Sequence, residues 1–223
     1  MSAVFQGEPD VAAFNRMGVD AMAIGNHEFN YGVDFLNDAV SRAAFPFLSA
    51  NIVRANGTRA YRGWTIVERA GVRVGIVGAT TPGVMVWDRD NVRGRLEVRD
   101  IVPAVRAAVA EVRAVGADVV VLTMHSGLGG SSSYDTASTG VPAENVAERV
   151  AREVPGIDLI VFGHTHREVA DTVIGGTMLV QPRNWATSVS VVHLGLRREQ
   201  GTWRVRSRRG VTVRAAGHPE SPA

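Results

Sequence analysis

The stretch Ile157-Asp158-Leu159-Ile160-Val161-Phe162-Gly163-His164-Thr165-His166 decides the fold of this chain. Its apolar first part predicts a strand that is buried on both faces, and a glycine and two histidines follow where the strand ends. The run Ala117–Met124 has the same pattern and is followed directly by His125. Buried strands that end in histidine are typical of an α/β sheet whose ligands gather at the carboxyl ends of its strands.

Segments on either side of these two strands alternate between helical and extended patterns. Apolar spacing and stop residues predict helices over residues 10–17, 34–43, 101–115 and 145–154. Apolar runs predict strands over residues 20–24, 47–50, 61–69 and 72–79. Residues 126–140 are predicted to form a long loop, and the chain beyond Thr177 to be all β, with a hairpin turn at Gln200-Gly201. This order indicates one α/β domain, with a mixed sheet or two sheets and helices outside.

The composition excludes several classes of protein and of site. Among the 223 residues there is no cysteine, which excludes disulfide scaffolds, zinc–thiolate sites, iron–sulfur clusters and thiol nucleophiles. All 24 basic residues are arginines and 22 residues are acidic, so the net charge of +2 gives little support to nucleic-acid binding. No apolar run approaches the ~20 residues that span a bilayer, so no membrane partner is expected. Residues 1–7 lack the basic and apolar parts of a signal peptide.

Four of the six histidines share a position directly after a predicted strand. They are His27, His125, His164 and His166. If the segment Gly163–His166 is extended, its two imidazoles point to one side and can bind one metal ion or two neighbouring ions. The amide oxygen of Asn26 is a further possible ligand. We interpret His193 and His218 as ordinary histidines, whereas the set at the strand ends predicts a metal site.

Three motifs carry a resemblance to a known family. They are Gly25-Asn26-His27-Glu28, His125-Ser126-Gly127 and Gly163-His164-Thr165-His166. In this order and separation they resemble motifs of the calcineurin-like metallophosphoesterases, and GNHEFNYG at residues 25–32 resembles the 5′-nucleotidase family within them. TPGVMVWDRD at residues 81–90 resembles the bacterial 2′,3′-cyclic-nucleotide 2′-phosphodiesterase/3′-nucleotidase branch. The resemblance extends over residues 5–197, which is nearly the whole chain.

The resemblance implies a fold, a reaction and a role for each of these side chains. The implied fold is a four-layer αββα sandwich, with two divalent metal ions at the strand ends. Asn26, His125 and His164 would bind one ion and His166 the other, while His27 would contact the phosphate and protonate the leaving oxygen. Nitrogen and oxygen ligands without sulfur permit manganese, zinc, iron or cobalt. The implied substrates are small nucleotides, chiefly 2′,3′-cyclic nucleotides and 3′-nucleotides.

The sequence also departs from the family pattern. The Asp-x-His of the first strand and the Gly-Asp that follows are absent, and Ser2-Ala3 falls where Gly-Asp is expected. The expected domain is therefore a catalytic domain over residues 1–214 that lacks its first strand, followed by a disordered tail over residues 215–223. A second domain that would grip the nucleoside is expected to be missing. Asn30 stands where many family members have an aspartate that orients the catalytic histidine.

Three further expectations remain open from the sequence. One alternative is a 5′-nucleotidase or UDP-sugar hydrolase of the same family. Another is a catalytically incompetent fragment that binds a metal or a nucleotide, because the bridging aspartate is absent. The resemblance also implies a periplasmic or extracellular location, since family members are usually exported.

Overall fold

The computed structural model describes residues 8–219, and within them a mixed set of strands and helices. The strands are β1 (Met22–Ala23), β2 (Phe47–Leu48), β3 (Ile52–Arg54), β4 (Trp64–Arg69), β5 (Val72–Thr80), β6 (Leu96–Val98), β7 (Val119–His125), β8 (Leu159–Phe162), β9 (Val169–Ile174), β10 (Thr177–Gln181), β11 (Ser188–Glu199) and β12 (Thr202–Arg214). The α-helices are α1 (Glu8–Met17), α2 (Gly32–Arg42), α3 (Val84–Trp87), α4 (Arg89–Val92), α5 (Ile101–Ala114), α6 (Thr136–Thr139) and α7 (Ala147–Glu153). None of these helices is long and apolar enough to cross a membrane.

A six-stranded sheet in the order β4-β5-β7-β8-β10-β9 forms the centre of the fold. Its four inner strands run parallel, and the edge strands β4 and β9 run antiparallel to their neighbours. The register pairs Thr80 with His125 and Met124 with Phe162. The carboxyl ends of β5, β7 and β8 therefore lie side by side at one edge of the sheet.

The two faces of this sheet are covered by different elements. One face presents alternate side chains such as Leu122 and Ile160 to the apolar faces of α5 and α7. The opposite face packs against the β11–β12 hairpin through Leu159, Met178 and Val180. Because side chains alternate along a strand, residues next to one another in sequence serve opposite faces.

The parallel pair β1–β2 lies on the same face as the hairpin. A Cβ added at Gly78 would lie 2.3 Å from Cβ of Leu48, so the absence of a side chain at Gly78 lets β2 approach the sheet closely. Beyond β1–β2, a second apolar cluster joins Ile24, Leu36 and Phe47 under α1 and α2. The layers therefore run from helices through the sheet and the strand pairs to helices. This confirms the predicted α/β fold with helices outside the sheet.

The structure corrects several predicted elements. The strand predicted over residues 20–24 is reduced to β1, and the loop predicted over residues 126–140 contains α6. The sequence analysis missed the strands β3, β6 and β9, of which the first two pair with each other. Ser2-Ala3, which falls where the family's Gly-Asp is expected, and residues 220–223 of the expected tail lie outside the described residues.

Candidate functional site

The predicted site residues come from the ends of β1, β7 and β8. His125 is the last residue of β7, and His164 follows β8 after Gly163. Asn26 and His27 follow β1 and open a single 3₁₀ turn, His27–Phe29. The buried hydroxyl of Thr80, opposite His125 in the sheet, donates a 2.8 Å hydrogen bond to the carbonyl of Ile24 and thereby ties the end of β1 to this edge.

His125 and His164 lie in direct contact. Nε2 of His125 is 3.2 Å from Nδ1 of His164, and the ring centroids are 5.0 Å apart. The other ring nitrogen of His164, Nε2, is 2.7 Å from Oε1 of Glu144. A carboxylate can only accept hydrogen bonds, so Nε2 of His164 carries the proton and Nδ1 faces His125.

Glu144 is held firmly at this position. Its carboxylate accepts a 2.6 Å hydrogen bond from the backbone N–H of Ser133. Burial raises the pKa of the Glu144 carboxyl, but the hydrogen bond from Ser133 and the contact with His164 outweigh burial, so this pKa lies below its ordinary value. Glu144 is therefore a carboxylate that fixes the tautomer and the orientation of His164.

The environment keeps His125 neutral. Burial of the ring, followed by the neighbouring imidazoles of His164, His27 and His166, lowers the pKa of His125 to about 3. The other three predicted histidines thus lie within electrostatic range of His125. A neutral imidazole is the form that ligates a metal ion.

Asn26 adds an oxygen donor beside this histidine pair. Its Oδ1 is buried and has no hydrogen-bond partner. A buried acceptor without a partner costs about 1–3 kcal/mol, which a bound cation would offset. A Cβ added at the adjacent Gly25 would lie 2.9 Å from Nδ1 of His125, so this backbone runs close to the ring.

These donors fit a divalent cation. No group of three or more His, Asp or Glu side chains within residues 8–219 is arranged to hold a metal ion, so the set depends on Asn26 as its third donor. The neutral ring of His125, the unprotonated Nδ1 of His164 and the orphaned oxygen of Asn26 are all ligands that manganese, zinc, iron or cobalt accept.

Gly25→Ala is expected to disturb the site without removing a donor. The new methyl group would lie 2.8 Å from Oε2 of Glu28, which accepts a 2.6 Å hydrogen bond from Gly25 N–H, and 2.9 Å from the His125 ring. Overpacking of this kind should lower the free energy of unfolding by about 1–3 kcal/mol. Urea unfolding measures this change in the free energy of unfolding. Gly163→Ala is the control, because a Cβ at Gly163 meets no atom within 4 Å. A Gly25→Ala variant as stable as this control would contradict the close approach of the Gly25 backbone to His125 and Glu28.

His166 does not lie where the sequence predicted. An extended segment with His164 and His166 on one side is wrong, because both residues adopt left-handed backbone angles, with φ of 75° and 55°. The ring of His166 is exposed and contacts Trp185 edge-on, with centroids 6.0 Å apart. The structure therefore brings together Asn26, His125 and His164, with His166 at the margin of the site.

His27 lies at the exposed side of the site. Its Nδ1 is 2.8 Å from Oδ1 of Asn30, and Nδ2 of Asn30 donates a 2.9 Å hydrogen bond to Asp88. Asn30, which stands where many family members have an aspartate, thus still provides a hydrogen-bond partner for His27.

Two aromatic rings form a wall beside His164. Trp87 lies over the imidazole, with centroids 5.4 Å apart and an interplanar angle of 31°. Tyr134 meets Trp87 edge-on at 5.9 Å and donates a 2.6 Å hydrogen bond to the carbonyl of Pro142. Sequence reasoning missed Glu144, and it treated Trp87 and Asp88 only as parts of a resembling stretch. No local pattern marks these three residues, because their partners lie far away in sequence.

Comparison with known proteins shows the family to which the chain belongs. Residues 7–168 match the family model described as calcineurin-like phosphoesterase. The chain belongs to the calcineurin-like phosphoesterase family. This is a family of phosphoesterase and nucleotidase hydrolases, whose members generally use a centre of two divalent metal ions.

Two curated relatives and one solved structure illustrate the match. A 2′,3′-cyclic-nucleotide 2′-phosphodiesterase/3′-nucleotidase from Haemophilus influenzae is 35% identical over 92% of this chain and 34% of that protein. A 5′-nucleotidase from Vibrio cholerae is 31% identical over 73% of this chain and 29% of that protein. The crystal structure of the calcineurin-like phosphoesterase YfkN from Bacillus subtilis superposes with a TM-score of 0.86, at 31% identity, over 96% of this chain and 69% of that one. The chain thus spans about a third of the length of these two curated relatives.

Proposed function

We propose that this chain is the catalytic domain of a metal-dependent phosphoesterase that hydrolyses 2′,3′-cyclic nucleotides and 3′-nucleotides. One observation carries the proposal. The orphaned oxygen of Asn26 and the paired rings of His125 and His164 meet at one sheet edge, and the exposed His27 follows directly after Asn26. The Haemophilus influenzae relative bears the name of this activity.

The metal ligands follow from this cluster. Asn26, His125 and His164 would hold one ion, and His166 would contribute to a second. When bound, two divalent ions neutralise charge on the phosphate and lower the pKa of a water molecule. Their identity is one of manganese, zinc, iron or cobalt, in keeping with nitrogen and oxygen donors.

His27 would supply the proton to the leaving ribose oxygen. Asn30 accepts from Nδ1 of His27, so the opposite ring nitrogen, Nε2, is left to face the substrate. From the imidazolium form, Nε2 would donate its proton to the leaving oxygen, and the ring would return to the Nδ1–H imidazole. A ribose oxygen is a poor leaving group, and a general acid in this position contributes about 10²- to 10⁴-fold to the rate.

The substrate class is tested by an assay of four probes. We expect 2′,3′-cyclic AMP and 3′-AMP to be hydrolysed faster than 5′-AMP and UDP-glucose. The reverse order would favour the 5′-nucleotidase or UDP-sugar hydrolase alternative, which the relative from Vibrio cholerae supports.

A second candidate function is binding without hydrolysis. It is favoured by the donor set itself, because Asn26, His125 and His164 are neutral and Glu144 contacts His164 at Nε2, not at the Nδ1 that faces His125. A chain that binds a single metal ion and hydrolyses none of the four probes would establish this alternative.

The bounds of the domain, its partner domain and its cellular location are also proposed. We assign the catalytic domain to residues 1–214. A further nucleoside-binding domain as partner and a periplasmic or extracellular location are in keeping with the family.

Glu144→Gln should weaken metal binding without removing a ligand. The glutamine is neutral, so it no longer favours the tautomer that leaves Nδ1 of His164 free. Loss of such a partner typically costs about 10- to 100-fold in metal affinity. Calorimetric titration with Mn²⁺ measures the change, and Glu148→Gln is the control because Glu148 is half-buried on α7 and pairs with Arg152. Equal affinity in the Glu144→Gln variant and the wild type would show that Glu144 does not support His164.

A further inference from the structure

Asp88 is a buried carboxylate that contacts Asn30, the hydrogen-bond partner of His27. It lies between α3 and α4 and is 6% exposed. Its side chain makes no capping hydrogen bond to α4, although it occupies the N-cap position. Oδ1 accepts the hydrogen bond from Asn30, and Oδ2 is buried without a partner. A buried carboxylate with so few partners is costly to maintain.

The contacts of Asp88 fix the direction of each hydrogen bond that leads to His27. The Asp88 carboxylate accepts only, so it holds the amide nitrogen of Asn30 toward itself. The amide oxygen of Asn30 then faces His27, and Nδ1 of His27 must carry the proton. A reversed Asn30 amide would instead require the other tautomer of His27.

Helix α4, which begins next to Asp88, also holds the backbone of the turn that follows His27. Nδ2 of Asn91, on α4, donates hydrogen bonds to the carbonyls of Phe29 and Asn30, at 3.0 and 3.3 Å. The α4 segment therefore sets both the backbone and the side chain of Asn30.

We propose that Asp88 is a positioning residue for His27, acting through the amide of Asn30 to keep one proton on Nδ1, so that Nε2 faces the substrate and is the nitrogen that takes up and then donates the transferred proton. The inference rests on the proposed function for the catalytic role of His27. The orientation of Asn30 and the tautomer of His27 can be tested independently of that role.

The test compares Asp88→Ala and Asp88→Asn with Asp90→Ala, an exposed neighbour on α4. Nitrogen-15 NMR of the histidine rings in the 223-residue chain, with His27 assigned from the His27→Ala spectrum, reports the tautomer. The wild type and Asp90→Ala should show His27 as Nδ1–H. Asp88→Ala should show a mixture of tautomers. Asp88→Asn should show the same change in smaller degree, since its amide can present either end to Asn30, and it decides the matter if Asp88→Ala does not fold.

Activity provides the second measurement. With 2′,3′-cyclic AMP, kcat of the Asp88 variants should fall about 10-fold, a part of what a general acid supplies, with KM little changed. An unchanged His27 tautomer in both Asp88 variants would overturn the inference even if the wild type is active. An inactive wild type whose His27 tautomer still depends on Asp88 would refute the proposed function and leave the positioning role supported.

Discussion

His27→Ala is expected to lower kcat for 2′,3′-cyclic AMP by about 10²- to 10⁴-fold. The loss follows because the variant has no imidazole to protonate the leaving oxygen. Among the described residues, Asn30 bonds through its side chain to His27 and to the Asp88 carboxylate, and that carboxylate cannot take over this role. Metal content should not change, since the proposed ligands Asn26, His125 and His164 are all retained. Steady-state kinetics together with elemental analysis of the purified variant measures both effects.

The matched control for this variant is His218→Ala. His218 is exposed near the end of the described chain and takes no part in the site. A leaving group that needs no protonation, such as p-nitrophenolate in bis(p-nitrophenyl) phosphate, should rescue most of the activity of His27→Ala. Full activity of His27→Ala toward 2′,3′-cyclic AMP would show that the role given to His27 is wrong.

His164→Ala is expected to have the largest effect on metal binding. Its Nδ1 lies 3.2 Å from Nε2 of His125, so both nitrogens converge on the same point. Removal of a partner that merely supports a ligand costs about 10- to 100-fold in affinity, so removal of the ligand itself should cost at least about 100-fold. Equilibrium dialysis against Co²⁺ measures the affinity, and the visible spectrum of bound Co²⁺ reports its coordination.

The control for this experiment is His193→Ala, an exposed histidine on the β11–β12 hairpin. It should bind Co²⁺ as the wild type does. Equal affinities of His164→Ala and the wild type would place the metal elsewhere. Because burial and the neighbouring imidazoles hold the pKa of His125 near 3, loss of binding in mildly acidic buffer would not arise from protonation of that ring.

The position of the histidine pair could be predicted from the sequence. Two apolar runs, each followed by histidine, are buried parallel strands in the structure, and their register sets Met124 beside Phe162. Parallel neighbours have their carboxyl ends at one edge, so His125 and His164 had to meet there. The buried face of α5 could also be predicted, because the spacing of its apolar residues determines which side of the helix is buried.

The supporting residues could not be predicted in this way. Glu144 lies 20 residues from His164, and Asp88 lies 58 residues from Asn30. Only the tertiary fold brings such pairs together, and neither carboxylate has a local pattern that distinguishes it. The left-handed backbone at His164 and His166 was equally hidden, because histidine gives no signal for a positive φ comparable to that of glycine.

The most direct test of the account is a calorimetric titration of the metal-free 223-residue chain with Mn²⁺, paired with hydrolysis of 2′,3′-cyclic AMP at each point. The central claim is that Asn26, His125, His164 and His166 form a two-metal phosphoesterase centre. This claim predicts that Mn²⁺ binding saturates at two ions per chain and that hydrolysis rises as the two metal sites fill. It also predicts that a chelator abolishes hydrolysis. Saturation at a single ion, or hydrolysis that a chelator leaves unchanged, would contradict it.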